Sequence, residues 1–245
     1  MKILQLLRDN AGRAKQPVSL VRNEAEATLY IYDVISADWG VSAMSVIDAI
    51  TQAGDAKVLN VHINSPGGDV FEGRAIMAAL RRFEGKKVAH IDSLCASAAT
   101  SIALACDEVV MADGAFFMIH NAMSLAFGNK SDLRETADTL EKIDGAIVND
   151  YTGKTGQDAE QVIAWMDAET WFTAAEAKEH GFVDRVLSAD KKAKNTWNLA
   201  AFDKVPEALK EPPAEPEPEK IEEEPATAGF FMSTANANRL RLLIA

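Results

Sequence analysis

The chain has 245 residues, 48% of them hydrophobic, with 37 acidic against 25 basic side chains and a net charge of −12. This length suits one domain of about 200 residues with a tail, and the apolar share is ample for a core. The acidic balance argues against a nucleic-acid-binding surface, which would need a basic patch, although half the excess is local: residues 207–225 hold eight glutamates and two lysines, a net of −6.

The N-terminus, MKILQLLRDNAGRAK, has only ILQLL between its first charges, too short for the core of a signal peptide. No apolar run approaches the roughly 18 residues of a membrane span. Ala27–Ile35 alternates and is rich in β-branched and aromatic residues, which predicts a strand. Ser42 is placed to open a helix whose apolar face is Ala43, Val46, Ile47 and Ile50, with Gly54 ending it. Lys57–Asn64 reads as a second strand, broken by Ser65-Pro66-Gly67-Gly68-Asp69. A helix is expected from Val70 to about Phe83, then a strand over Lys86–Asp92.

Ile91–Cys106 (IDSLCASAATSIALAC) runs from a strand end through very small residues into an apolar helix, Ile102–Cys106. Its two cysteines, Cys95 and Cys106, sit in one small-residue segment, which does not suit a disulfide and fits a reduced, cytoplasmic setting. Glu108–Ala112 and Phe116–Ile119 are short strands flanking Asp113-Gly114. Ser131–Tyr151 is the longest predicted helix, with Ser131 as N-cap and Leu133, Ala137, Leu140, Ile147 and Tyr151 on one stripe. Asp158–Met166 and Phe172–His180 read as helices, the latter capped by Gly181, and Phe182–Leu187 as a strand. Alternating strands and helices imply a parallel α/β arrangement. From about Lys204 the chain is rich in proline and glutamate and reads as a solvated linker. It ends in GFFMSTANANRLRLLIA, either a frayed end or a short peptide that orders on a partner.

Chemistry concentrates in three places. A strand turning into a helix at the small-residue corner exposes the first amides of the helix, where the dipole is positive. A serine there (Ser93, Ser97, Thr100 and Ser101 are the hydroxyl residues) is an N-cap, or a nucleophile with oxyanion donors beside it. Gly67-Gly68 is a plain strand–helix turn or an amide-lined ledge, and it lacks the Lys-Ser/Thr of a phosphate loop. Of the four histidines, His62 and His90 lie within strands and read as structural, and His180 ends a helix. His120 closes a strand, where catalytic groups are often found. Asp167 and Glu169 are two apart and, if extended, point to one side. Either could orient a histidine, or be part of an exposed acidic loop. No set of His, Cys and carboxylates has metal-site spacing.

The ordered set VHINSPGGDVFEGRAIMAAL (61–80), IDSLCASAATSIALACDEVVMADGAFFMIHN (91–121) and DAETWFTAAEAKEHGFVDRV (167–186) resembles the Clp-type serine peptidases. The likeness is greatest to the Clp-like head maturation proteases of tailed bacteriophages and prophages. The resemblance implies a spiral of ββα units in a single domain over residues 26–190. Around it lie an N-terminal segment (1–25), a disordered acidic Pro/Glu-rich linker (191–228) and a C-terminal apolar peptide (229–245). It also implies that Ser97 is the nucleophile, His120 the general base, and the Gly68 and Ala98 amides the oxyanion donors, with Gly67-Gly68 lining the substrate backbone. The third triad member falls on Glu169. The family usually has Asp there, so Asp167 stays an alternative.

The implied function is a serine endopeptidase that uses no cofactor or metal and cleaves capsid or scaffold proteins during head assembly. It would form a homo-oligomeric ring in the host cytoplasm and inside the assembling prohead, with capsid, scaffold or portal protein as partner and without nucleic acid or membrane. The helix 131–151 would be the projecting handle between rings. Three other readings stand beside it: an inactive capsid scaffold or assembly protein on the same fold, a crotonase-type acyl-CoA enzyme, and a Ser–Lys signal-peptide peptidase.

Overall fold

The computed structural model describes residues 18–23, 25–187, 199 and 202–210. The chain divides into two units, Met1–Pro213 and Ala214–Ala245, and every described residue belongs to the first. The apolar peptide 229–245 and most of the segments 1–25 and 191–228 lie outside the described residues.

Eight strands are present among them: β1 (Ser19–Arg22), β2 (Glu26–Ile31), β3 (Val58–Ser65), β4 (Lys86–Ala96), β5 (Glu108–Ala112), β6 (Phe116–Ile119), β7 (Thr170–Thr173) and β8 (Arg185–Leu187). The helices are α1 (Ala43–Ala53), α2 (Val70–Arg82), α3 (Ala98–Ala103), α4 (Lys130–Thr155), α5 (Ala159–Asp167) and α6 (Ala174–Glu179). The sheet runs β1-β2-β3-β4-β5-β8, with β6 beside β4 and β7 beside β6. This is the expected single α/β domain, but the sheet is mixed: β1–β2 and β6–β7 are antiparallel and the other pairs parallel.

Alternation in β2 and β3 buries every second residue, among them Leu29, Ile31, Leu59, Val61 and Ile63. These join Val46, Ile76, Leu80 and Ile91 in one core, the pattern expected of strands with one face covered by helices. The other face carries Tyr30, His62 and His90 side by side in register. Their rings stack at 5.1 and 4.6 Å, and His62 Nδ1 lies 2.8 Å from an Asp92 carboxylate oxygen.

Local signals locate many ends. Ser42 caps α1 by accepting from the Ser45 amide, and Gly54 closes the helix at positive φ. Several expectations are corrected. β4 continues through Ala96 instead of stopping at Asp92, because Leu94, Cys95 and Ala96 pair with Phe116, Phe117 and Met118 of β6. Small residues suit a strand this enclosed. Helix α3 therefore starts at Ala98 and ends at Ala103, not over 102–106. The cap of α4 is Asn129, whose side chain accepts from the Ser131 amide while its own amide donates to the Asp132 carboxylate. Thr170–Thr173 is a strand rather than the start of a helix, its Trp171 and Phe172 paired to β6. α6 follows from a capping box between Thr173 and Glu176. β1 was not anticipated; it is a four-residue edge strand.

Candidate active site

Sheet register brings the sequence-predicted residues together. β4 splits its partners: Val88–Ile91 pair with β5, and Leu94–Ala96 with β6. The Ala96–Met118 pairing extends one step further, the Ser97 amide donating to the Met118 carbonyl at 2.9 Å. His120 is two residues past Met118, so it lands beside Ser97, with Ser97 Oγ 2.7 Å from His120 Nε2. On the other side of β4, Ser65 pairs with Cys95, which carries Gly67 alongside Ser97. In the antiparallel β6–β7 pair Ile119 faces Thr170, which places Glu169 across from His120.

Two non-glycine residues among those described have positive φ: Ser97 (53°) and Glu169 (48°). Such conformations cost about 1–3 kcal/mol each and gather at functional sites. Ser97, with ψ −127°, sits between the end of β4 and α3, and its side chain makes no capping bond. The turn is held from below. Both the Thr100 amide and the Thr100 hydroxyl donate to the Ser97 carbonyl, at 2.9 and 2.6 Å, and Thr100 Oγ1 lies 2.6 Å from the buried Tyr151 hydroxyl.

Gly67, at φ 90°, has no room for a side chain: a Cβ there would lie 2.7 Å from Ser97 Cβ and 2.6 Å from the Ala96 carbonyl oxygen. One side of the ledge is already occupied. The Ile35 amide donates to the Gly67 carbonyl and the Asp69 amide to the Ile35 carbonyl, each at 2.8 Å. The amides of Gly68 and Ala98 make no hydrogen bond among the described residues, and Gly68 is exposed.

Burial lowers the pKa of His120 from its ordinary value, opposed by the negative charge of Glu169. The ring is therefore neutral at neutral pH. In the tautomer whose Nε2 accepts from the Ser97 hydroxyl, the ring proton is on Nδ1. Neither carboxylate receives it among the described residues. Asp167, exposed, accepts from Asn121 Nδ2 at 2.7 Å. Glu169 accepts from Trp171 Nε1 at 3.2 Å, from the Asp203 amide at 2.8 Å and from the Lys204 amide at 2.6 Å. No group of three or more His, Cys, Asp and Glu side chains is placed to hold a metal among the described residues.

Three neighbours of the site were not foreseen. Asp144 accepts from the Ala122 amide at 2.7 Å and so fixes the strand exit after His120; burial raises its pKa. Its signal was there, a carboxylate four residues after Leu140 on the apolar stripe of α4. Trp171, on β7, donates to Glu169. Phe202 packs edge-on against both His120 (5.4 Å) and Trp171 (5.7 Å). With Leu199, Val205 and Leu209 it covers a second apolar cluster, Leu94, Ala96 and Met118, although this stretch was expected to belong to a solvated linker. Cys95 and Cys106 are free and buried. No helix among the described residues is long and apolar enough to cross a membrane.

Comparison with known proteins bears on the family and the fold. The Clp protease family description matches residues 13–190. The ATP-dependent Clp protease proteolytic subunit of a Bacteroides fragilis strain is 31% identical over 141 residues, covering 54% of this chain and 64% of that protein. The corresponding Bacteroides thetaiotaomicron protein is 34% identical over 141 residues, covering 54% and 60%. The chain thus spans less than two thirds of the length of these relatives. The solved structure of a point mutant of ClpP1 from Listeria monocytogenes superposes with a TM-score of 0.59 at 21% identity, covering 77% of this chain and 97% of the other, a likeness of fold. With the family match running over the whole stretch from β1 to β8, the chain belongs to the Clp protease family.

Proposed function

We propose that this protein is a serine endopeptidase acting through an acyl-enzyme. The observation that carries the reading is the 2.7 Å contact between Ser97 Oγ and His120 Nε2, on a strained turn flanked by two amides that have no acceptor among the described residues. His120 Nε2 takes the Ser97 proton as Oγ attacks the peptide carbonyl. The Gly68 and Ala98 amides receive the oxyanion, and His120 then protonates the departing amine. Water deacylates the enzyme by the same route. Glu169, opposite His120 in the β6–β7 register, is our choice for the carboxylate that stabilises the imidazolium, with Asp167 second to it. A fluorophosphonate should label Ser97 in the purified protein and fail to label Ser97→Ala. Labelling elsewhere, or peptide cleavage at the parental rate by Ser97→Ala, would exclude the assignment. A folded protein whose Ser97 does not label would favour a crotonase-type activity, which needs amide donors but no serine.

Within that class we propose a role in phage head maturation, with capsid or scaffold protein as substrate. It is supported by the three sequence blocks and by the Pro/Glu-rich tail. The relatives found are bacterial proteolytic subunits, so general proteolysis is the competing role. Co-expression with capsid and scaffold proteins, scoring cleavage and head incorporation separately, decides between these roles and an inactive scaffold. A ring assembly is supported by α4, whose Leu133 and Ala137 are exposed while Ile147, Val148 and Tyr151 are buried. Light scattering giving only monomer would remove it.

A further inference from the structure

The stretch 202–205 touches the proposed site at two points, and both bear on His120. The Phe202 ring meets the His120 ring edge-on at 5.4 Å. The next two amides take the Glu169 carboxylate, Asp203 N on Oε2 at 2.8 Å and Lys204 N on Oε1 at 2.6 Å, with Trp171 Nε1 adding a third donor at 3.2 Å. Both oxygens of the carboxylate that faces His120 across the β6–β7 register are thus engaged elsewhere. Glutamate, with one more methylene than aspartate, has the reach to make this turn-away. The segment is anchored by burying Leu199 and packing Phe202, Val205 and Leu209 around Leu94, Ala96 and Met118, the strand residues that lead into Ser97 and His120.

We propose that residues 202–205 are an inhibitory strap that holds Glu169 away from His120, so that the protein is latent until the strap lifts. This rests on the reading of Ser97 and His120 given above. In the strapped state Ser97 and His120 retain their contact, but the imidazolium formed during attack has no hydrogen-bonded carboxylate. Released, Glu169 Oε swings to His120 Nδ1–H. The strap continues directly into the Pro/Glu-rich stretch that begins near Pro206, so binding or cleavage of that stretch would act on the site through two backbone amides.

The test uses the full chain and a fluorophosphonate that phosphonylates Ser97: the Oγ–P bond forms, P–F breaks, fluoride leaves and the serine proton goes to His120. Asp203→Pro with Lys204→Pro removes both amide donors from an exposed loop, and Phe202→Ala separately removes the ring from His120. A hydrogen-bonded acid on a catalytic histidine is worth up to about 10⁴ in rate, so the released variants should label at least ~10-fold faster than the parent. The acid limb of their pH profile should also move to higher pH, because a paired carboxylate favours the imidazolium. Adding Glu169→Gln to the released background should abolish the gain. Parent labelling with no acceleration in folded released variants, as judged by circular dichroism, or a gain that survives Glu169→Gln, overturns the strap alone. Failure of every variant, parent included, to label removes the peptidase reading and the strap with it.

Discussion

Thr100→Val tests whether the turn at Ser97 is supported through the core. Thr100 is fully buried and has one hydroxyl proton, which goes to the Ser97 carbonyl at 2.6 Å because a carbonyl can only accept. The buried Tyr151 hydroxyl, 2.6 Å from Thr100 Oγ1, is then the donor to Thr100. Valine matches the shape but removes both bonds. The Ser97 carbonyl keeps the Thr100 amide at 2.9 Å and loses about 1 kcal/mol, while the Tyr151 hydroxyl is left without an acceptor at about 1–3 kcal/mol. The sum is about 2–4 kcal/mol, a fall in Tm of roughly 4–16 °C for a domain of this size. Tyr151→Phe removes only the outer donor and should cost about 1 kcal/mol. The double variant should be less destabilised than the sum, because the stranded hydroxyl is gone, giving a coupling of about 1–2 kcal/mol. Urea unfolding followed by tryptophan fluorescence measures the cycle, and labelling of Ser97 in the folded plateau reports on the turn. Strict additivity, or Thr100→Val no worse than Tyr151→Phe, would refute this order of donors.

Ser97→Gly should be more stable than Ser97→Ala by about 1 kcal/mol, since glycine relieves the positive-φ strain at some entropic cost; the usual preference for alanine would contradict the strain. Gly67→Ala, at φ 90° and with its Cβ 2.7 Å from Ser97 Cβ, should cost about 2–4 kcal/mol and slow Ser97 labelling; a parental labelling rate would place the ledge elsewhere. His120 must be neutral to act, and burial lowers its pKa, so the acid limb of labelling should lie below the ordinary imidazole value of 6.5. The unfolded state binds this proton more readily. Its stabilising contribution is therefore complete above pH 6.5 and lost as pH falls toward the folded pKa, seen as a narrowing stability gap between the parent and His120→Asn on acidification. Burial pushes Cys106 up to about 12 and Cys95 well above its usual value, so iodoacetamide at neutral pH should modify neither in the folded protein and both in urea.

Much of this was legible in the chain because the signals are local. Period-two alternation marked β2, the 3.6-residue stripe marked α1, and Ser42 and Gly54 marked its ends. The three blocks, one around Gly67-Gly68, one holding both Ser97 and His120 and one around Glu169, carried the family resemblance, and with it the Ser97–His120 pair that the structure sets 2.7 Å apart. Where local signals misled, a partner distant in sequence was the cause. Ser93–Ala96 look like a loop of small residues until β6 encloses them as a strand, and Thr170–Thr173 lie beside a good capping box yet pair with β6. Asp144 breaks an apolar stripe for a reason visible only when Ala122 comes to meet it.

The sequence by itself determined which residue types stand at strand ends and helix starts, since those depend on neighbours a few positions away. Only the tertiary structure decided how they meet. The Ala96–Met118 register sets Ser97 against His120, and the Ile119–Thr170 register sets Glu169 opposite His120. The direction of the Glu169 carboxylate was beyond any local rule. It is settled by the backbone amides of Asp203 and Lys204, more than thirty residues away, because a partly buried carboxylate turns toward whichever N–H donors the fold presents to it.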